Sequence, residues 1–152
     1  MKTKKIILIL SIFSAVVIGC NNNYPTEISF NDYSLSTSCQ WKDFVCDGYD
    51  GELIIINNNE ELNNYITCAN DSYPVIDFSE YTLLLVNGCS PNDVIDITTS
   101  LFKKNDTNRY TLNITVHLGV LRVMDKWNIS ILIPKVSNNA TIKLNVQQSQ
   151  NI

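Results

Sequence analysis

Two stretches of this sequence alternate between apolar and polar residues, and this pattern constrains the fold more than any other feature. Apolar residues occupy every second position from Tyr110 to Val116, and a similar alternation runs from Trp127 to Ile133. Successive side chains of a strand point to opposite faces, so each stretch predicts a strand with one buried face and one solvated face. Pro134 ends the second strand, because proline cannot donate to a sheet ladder.

Other segments complete a mainly β pattern. The dense apolar run from Leu83 to Val86 predicts a strand that is buried on both faces. Residues 88–92 predict a hairpin connection, and residues 118–126 form either a bulged extension or a loop. Sequential strands joined by short turns pair antiparallel, so we expect a mainly β (α+β) fold: an antiparallel β-sandwich or half-barrel of six or seven strands. Further strands are predicted at residues 53–56, 94–102 and 142–146, and a first strand could begin at residues 27–30.

One short helix is predicted between these strands. The asparagines at residues 57–59 offer a side-chain cap, and the two glutamates that follow would face the positive end of the helix dipole. Leu62, Tyr65 and Ile66 are spaced as i, i+3 and i+4, which is typical of an amphipathic helix. We therefore expect a helix of about nine residues, held by docking its apolar stripe on the sheet.

Four cysteines follow Cys20, and an even number is typical of an exported, disulfide-containing chain. They allow three pairings, which the sequence alone does not distinguish, and thiols of an anaerobe that meets little oxidant could also stay free. Pairing Cys39 with Cys68, and Cys46 with Cys89, is preferred because it ties the N-terminal segment to a helix end and to a core strand. No Cys-x-x-Cys pair exists and His117 is the single histidine, so no metal site is expected.

The first twenty residues combine lysines at positions 2, 4 and 5 with an uncharged apolar run from Ile6 to Ile18, the pattern of an export signal. This run is shorter than the roughly 20 apolar residues of a membrane-spanning helix. Val17-Ile18-Gly19-Cys20 resembles the bacterial lipobox. That resemblance implies cleavage before Cys20 and acylation of its thiol with diacylglycerol and palmitate-type chains. An ordinary export signal with a free thiol and an uncleaved anchor are the alternatives.

The domain organisation follows from this signal. We expect a lipoprotein signal peptide at residues 1–19, a lipidated flexible tether at 20–37, a single β-rich domain at 38–147 and a frayed tail at 148–152. The mature chain would hold 8 Lys and Arg against 15 Asp and Glu, a net charge of −7. Such an acidic chain is a poor partner for nucleic acid, so membrane attachment is expected through the lipid on Cys20.

Few residues indicate a ligand or a reaction. Trp41, Tyr49 and Tyr73 lie in predicted loops, where their rings could stack on the faces of a glycan. The acidic residues 47–52 suggest a calcium site, but their spacing does not match a calcium-binding EF-hand loop, and a solvated turn is preferred. No catalytic motif and no cofactor motif is present, and a hydrolase built on paired carboxylates is the one enzyme class left.

Two further polar residues have simpler interpretations. Asp77 lies between two apolar residues, and we expect it to accept backbone N–H groups in the turn before the strand. His117 lies on the polar side of its alternating strand, and we expect a solvated surface histidine.

The sequence Ile-Asp-Phe-Ser-Glu-Tyr-Thr-Leu-Leu-Leu-Val-Asn-Gly at residues 76–88 follows an Asn-Asn-Glu-Glu-Leu helix and precedes Trp-x-Ile-x-Ile-Leu-Ile-Pro-Lys. This pattern resembles small uncharacterised envelope lipoproteins of gut anaerobic bacteria. The order of elements is also similar to the C-terminal domain of a lipoprotein subunit found with a surface protease complex. The resemblance covers residues 53–146 and implies an outer-membrane lipoprotein, on the periplasmic or the surface face. No catalytic residues are implied by it.

Three hypotheses of function follow. The preferred one is a non-catalytic binding or assembly module in the cell envelope, with a protein partner. The second is a glycan-binding surface lipoprotein, with an accessory subunit or regulator of a surface protease complex as a further alternative. The third is an enzyme, a carboxylate-based hydrolase, which is not expected.

Overall fold

The computed structural model describes residues 24–69, 73–105 and 107–150. Two four-stranded sheets pack face to face, and a strand pair with a short helix covers one of them. The expected mainly β sandwich with one short helix is therefore confirmed. The elements are β1 (Thr26–Glu27), β2 (Asn31–Asp32), β3 (Cys39–Trp41), β4 (Glu52–Ile56), α1 (Asn59–Asn63), β5 (Ile66–Cys68), β6 (Tyr81–Ser90), β7 (Val94–Lys103), β8 (Arg109–Leu118), β9 (Asp125–Pro134) and β10 (Thr141–Gln150).

The two sheets share one hydrophobic core, and one of the sheets also contributes to a second hydrophobic core, under the covering layer. The first sheet has the strand order β1-β7-β8-β10, and the second has the order β2-β9-β6-β4. Leu84 and Val86 of β6 point into the core between the sheets, where they join Leu112 of β8. Leu83 and Leu85 point the other way and pack under the covering layer. As predicted for residues 83–86, the central strand β6 is buried on both faces.

The covering layer consists of α1 and the antiparallel pair β3–β5. Asn58 caps α1, because its side chain accepts a hydrogen bond from the backbone N–H of Glu61 at 2.8 Å. The helix has five residues instead of the expected nine. Leu62 is buried from the helix, but Ile66 is buried from β5, so the predicted apolar stripe is divided between two elements.

Two connections differ from the prediction. Residues 88–92 do not form a hairpin, since β6 belongs to one sheet and β7 to the other. The last strand β10 pairs with β8 in parallel, from Thr141 opposite Arg109 to Gln150 opposite Leu118. The chain leaves β8 for the opposite sheet, runs back along β9 and then returns, so β10 runs in the same direction as β8. The expectation of purely antiparallel pairing is therefore wrong for this strand.

The predicted tether and tail are partly built into the sandwich. Strand β1 pairs with β7, β2 pairs with β9, and Ile28 and Phe30 pack against the core between the sheets. Residues 26–35 thus belong to the folded domain, and only residues 20–23 of the expected tether lie outside the described residues. Strand β10 extends to Gln150, so residues 148–150 of the expected tail are also folded, and residues 151–152 lie outside the description.

Both disulfides have the preferred pairing. Cys39–Cys68 joins β3 to β5, and Cys46–Cys89 joins the loop before β4 to the end of β6. The export signal and Cys20 lie outside the described residues. Within the described part of the chain, no helix has the length and apolar character needed to cross a membrane.

Candidate functional site

The long strands give the sandwich two ends. Strands β6 to β10 have ten residues each, which corresponds to about 33 Å. The entry end comprises the turn 104–108, the connection 135–140 and the first described residues, 24 and 25. There the side-chain amide of Asn105 donates to the carbonyl oxygen of Tyr24 at 2.8 Å. The apical end comprises the loops 42–51, 91–93 and 119–124 at the other ends of the strands.

The apical end exposes an unusual number of apolar side chains. Within residues 119–124, Val120 is 83% exposed and Leu121, Val123 and Met124 are each at least 60% exposed. Seven of the eleven exposed large apolar side chains in the described chain lie in or beside the three apical loops. Single exposed apolar residues are ordinary, whereas several of them at one end of a domain are not. Besides the four residues of the segment 119–124, the seven apical side chains include Val45, Tyr49 and Ile95.

Hydrogen bonds to Asp93 fix the backbone of residues 119–124, which we call the apolar loop. The Asp93 carboxylate accepts from the backbone N–H of Leu121 at 2.8 Å, and the Asp93 carbonyl accepts from the N–H of Gly119 at 2.8 Å. The Asn92 amide donates to the carbonyl of Gly119 at 3.1 Å. A Cβ atom at Gly119 would overlap the Asp93 carboxylate. The backbone is thus satisfied by polar partners, which leaves the apolar side chains of the loop in solvent.

The loop 42–51 is attached beside it by a disulfide and a lysine. Cys46–Cys89 joins it to β6, and the Lys126 ammonium lies 2.7 Å from the Asp43 carboxylate and 5.2 Å from the centre of the Phe44 ring. The hydrogen bond from Lys126, together with its charge, lowers the pKa of Asp43. These contacts hold the loop 42–51 against the start of β9, next to the apolar loop.

A cleft of about 290 Å³ lies between the loop 42–51 and the end of β6. Asp47 and Glu52 both line it, so a pair of carboxylates is present, as a hydrolase would require. Both residues are solvent-exposed, and the cleft lacks the buried environment that a general acid needs. No group of three metal-ligating side chains occurs within the described residues. Gly48 and Gly51 have φ values of 80° and 74°, as expected for turns.

The three aromatic candidates are not brought together. Tyr49 is in the apical end, whereas Tyr73, 40% exposed, borders none of the clefts described here. Trp41 is half-buried on β3, and its ring contacts that of Tyr33 edge to face at a centroid distance of 6.5 Å. These two rings line an open groove of about 600 Å³. Its polar lining residues are Asp32, Ser34, Gln40, Thr99, Asn128 and Ser130.

Asp77 accepts a backbone N–H as expected, whereas His117 is half-buried and not the solvated surface histidine that was expected. The Asp77 carboxylate accepts from the backbone N–H and the hydroxyl of Ser79 at 2.9 and 2.5 Å, and these hydrogen bonds lower the pKa of Asp77. His117 faces away from the core between Asp96 of β7 and Ser149 of β10. The Ser149 hydroxyl lies 3.2 Å from His117 Nδ1. Asp96, His117 and Ser149 thus form a row of polar side chains across three neighbouring strands of the first sheet.

The sequence prediction missed the apical end. Residues 118–126 were expected to be a bulged extension or a loop, without a function. The available indication was that four apolar residues occur between two strands without the alternation that would bury half of them. Comparison with known proteins finds no matching protein family, no matching curated protein and no matching solved structure.

Proposed function

We propose that this protein is a lipid-anchored protein of a bacterial outer membrane, with a non-catalytic domain that binds an envelope protein through its apical end. The export signal and the lipobox-like residues that end at Cys20 support the anchor. The observation that carries the binding role is the cluster of seven exposed apolar side chains at the apical end. Exposed clusters of this kind are costly in a soluble domain and are typical of interaction surfaces.

The position of the apical end supports the same role. Residues 20–23 between the acylated cysteine and Tyr24 could span about 14 Å when fully extended. Tyr24 lies at the entry end, where its carbonyl contacts Asn105 in the β7–β8 turn. An anchor on Cys20 therefore holds the entry end close to the bilayer. The apical end, about 33 Å further along the strands, is free to meet a partner.

The test is photo-crosslinking in intact cells with the full-length, lipidated protein. A photoreactive benzoyl-phenylalanine replaces Val120 at the apical end, and the matched control replaces the exposed Asn138 at the entry end. We expect a discrete protein crosslink from position 120 that is absent from position 138. The absence of a crosslink from position 120, in cells where the protein is folded and membrane-bound, would contradict the binding role.

The anchor is tested separately. Cys20→Ser removes the thiol that would be acylated, so the variant should lose its partitioning into detergent, whereas Cys39→Ser should keep it. Equal partitioning of the wild type and Cys20→Ser would contradict the anchor. Protease accessibility in intact cells then distinguishes the surface face from the periplasmic face of the outer membrane.

The groove between Tyr33 and Trp41 favours glycan binding as a second candidate function. It combines two aromatic rings with side chains that carry hydroxyl, amide and carboxylate groups, which is the usual chemistry of a saccharide site. If this function is correct, Trp41→Ala should abolish retention on immobilised envelope polysaccharide, and Tyr73→Ala should leave it unchanged. Equal retention of both variants would exclude the groove. An accessory role in a protease complex would instead appear as a protease in the crosslink from position 120.

A further inference from the structure

We infer that the apical end docks on a protein surface in which an apolar pocket is bordered by lysine or arginine side chains. This inference rests on the proposed function and specifies the chemistry of the partner. It follows from the charges that surround the apolar cluster and from their distribution between the two ends of the sandwich.

The apolar cluster has a strongly acidic border. The three apical loops and the strand residues next to them hold seven carboxylates and three cations, Lys42, Arg122 and Lys126. The Lys42 ammonium donates to the backbone carbonyls of Asn63 and Asn64. Lys126 is already paired with Asp43, and no other ion pair is formed within the described residues. The carboxylates are those of Asp43, Asp47, Asp50, Glu52, Asp93, Asp96 and Asp125.

The cations of the chain lie mainly at the opposite end. Five of the eight Lys and Arg residues of the mature chain are in the entry end or within three residues of it. Anionic headgroups attract lysine and arginine, so a bilayer would attract the entry end and repel the apical end. A lipid surface is therefore a poor occupant of the apical cluster, although the cluster is apolar. The five Lys and Arg residues in or near the entry end are Lys103, Lys104, Arg109, Lys135 and Lys143.

Arg122 lies in the middle of the apolar loop, between Leu121 and Val123. Arginine flanked by apolar residues is frequent at the energetic centre of protein interfaces, where it is paired by a carboxylate or a carbonyl group. The partner should therefore provide one such acceptor inside its apolar pocket, with cations around it that face the acidic border. A lipid hydrocarbon layer offers no equivalent acceptor.

The test measures the crosslink from position 120 in two charge variants of the full-length protein. Asp47→Lys combined with Asp50→Lys reverses two exposed charges of the acidic border, neither of which forms an ion pair in the described structure. Glu27→Lys combined with Glu80→Lys makes the same charge change at exposed positions towards the entry end. We expect the first variant to reduce the crosslink yield roughly tenfold, since charges at an interface rim control association, and the second to keep it within about twofold.

The two proposals fail in different ways. If position 120 crosslinks to no protein, the proposed function fails. If it crosslinks to a protein but Asp47→Lys with Asp50→Lys leaves the yield unchanged, the binding role stands and the charge inference fails. A crosslink to a second copy of this acidic chain would also overturn the inference. Thermal unfolding of both charge variants shows whether a lost crosslink reflects lost folding, and a folded variant with a reduced yield supports the inference.

A vesicle experiment tests the lipid alternative directly. The mature chain with Cys20→Ser is mixed with vesicles of phosphatidylethanolamine and phosphatidylglycerol and sedimented. We expect Leu121→Asp to leave the sedimented fraction unchanged, because any attraction of the vesicles to the cationic entry end does not involve the apical loop. Sedimentation that Leu121→Asp abolishes would show that the apical loop inserts into lipid, and it would overturn the inference.

Discussion

The entry end and the apical end connect the same five long strands, but they differ in how many apolar side chains they expose. At the entry end, the turns are held by side-chain amides, such as Asn108 donating to Asn139 at 3.0 Å, and Tyr24 is the exposed large apolar residue there. At the apical end, polar contacts of Asp93 and Lys126 hold the backbone, while the apolar side chains remain in solvent. Hydrogen bonds to backbone groups occur at both ends, and at the apical end they do not involve the apolar side chains. This difference between the two ends is what the proposed binding role of the apical end requires.

Among the changes that distinguish the two ends, removing the apical disulfide Cys46–Cys89 should lower the free energy of unfolding most. Cys46→Ala with Cys89→Ala opens a crosslink between residues separated by 43 positions. The chain-entropy estimate for a loop of this length is about 4 kcal/mol of stability. Urea unfolding of the oxidised wild type and the double variant measures the loss. Hydrogen exchange should become faster in the loop 42–51 than in the turn 104–108, and equal acceleration at both ends would contradict a local role for this disulfide.

A smaller loss is expected from Gly88→Ala, below the apical cleft. A Cβ atom at this position would overlap the indole ring of Trp127, which is 5% exposed. Because the ring is enclosed by the core, the substitution should cost about 1–3 kcal/mol through overpacking. Chemical unfolding followed by tryptophan fluorescence measures it. A variant as stable as the wild type would show that the ring can move, and that the packing under the apical end is looser than described.

The apolar loop itself should respond to Asp93→Ala. The variant removes the acceptor for the Leu121 N–H, so we expect a loss of about 1 kcal/mol and faster hydrogen exchange in residues 119–124. Asp93→Asn is the matched control, because its side-chain oxygen can still accept the same hydrogen bond. If Asp93→Ala does not accelerate exchange in the loop, the loop is held by something other than Asp93.

Local patterns predicted the central strands but not their connections. Alternation along β8 and β9 requires a buried face, and the apolar run in β6 requires two, so these strands could be predicted from the sequence. The parallel pairing of β10 depends on which sheet the chain enters after β9, and packing of the whole core determines that choice. Residues 26–35 were interpreted as a tether because they are polar overall, yet Ile28 and Phe30 are enough to dock them on the core.

The candidate site was less predictable, because it is formed by segments that are distant in the sequence. The sequence shows that four of the residues 120–124 are apolar, but it does not show that Cys46 and Ile95 come to the same end of the sandwich. That proximity arises from the register of the strands and from the disulfide to Cys89. The preferred pairing of Cys39 with Cys68 is confirmed, and it was preferred because Cys68 follows the predicted helix, so that the bond ties the N-terminal segment to the helix end.

The smallest expected effect is the pH dependence of stability, which comes from one carboxylate near each end, Asp77 and Asp43. The pKa of Asp77, towards the entry end, is lowered mainly by hydrogen bonds from Ser79, and the pKa of Asp43, in the apical end, is lowered mainly by Lys126. Each carboxylate therefore contributes stability above its unfolded pKa, near 4, and the contribution is lost as the pH falls through the lowered folded-state pKa.

Salt should affect the two carboxylates differently. Added salt screens the charge of Lys126, so the pKa of Asp43 should rise part of the way towards its ordinary value, since the hydrogen bonds from Lys126 and the Phe44 backbone also lower it. The hydrogen bonds from Ser79 should keep the pKa of Asp77 low. Carboxyl-carbon NMR titrations at about 0.05 and 1 M salt measure both groups in one sample. Lys126→Met should raise the pKa of Asp43 alone. If salt moves both values equally, the loop 42–51 is not held by its ion pair, and the electrostatic contrast between the ends is absent.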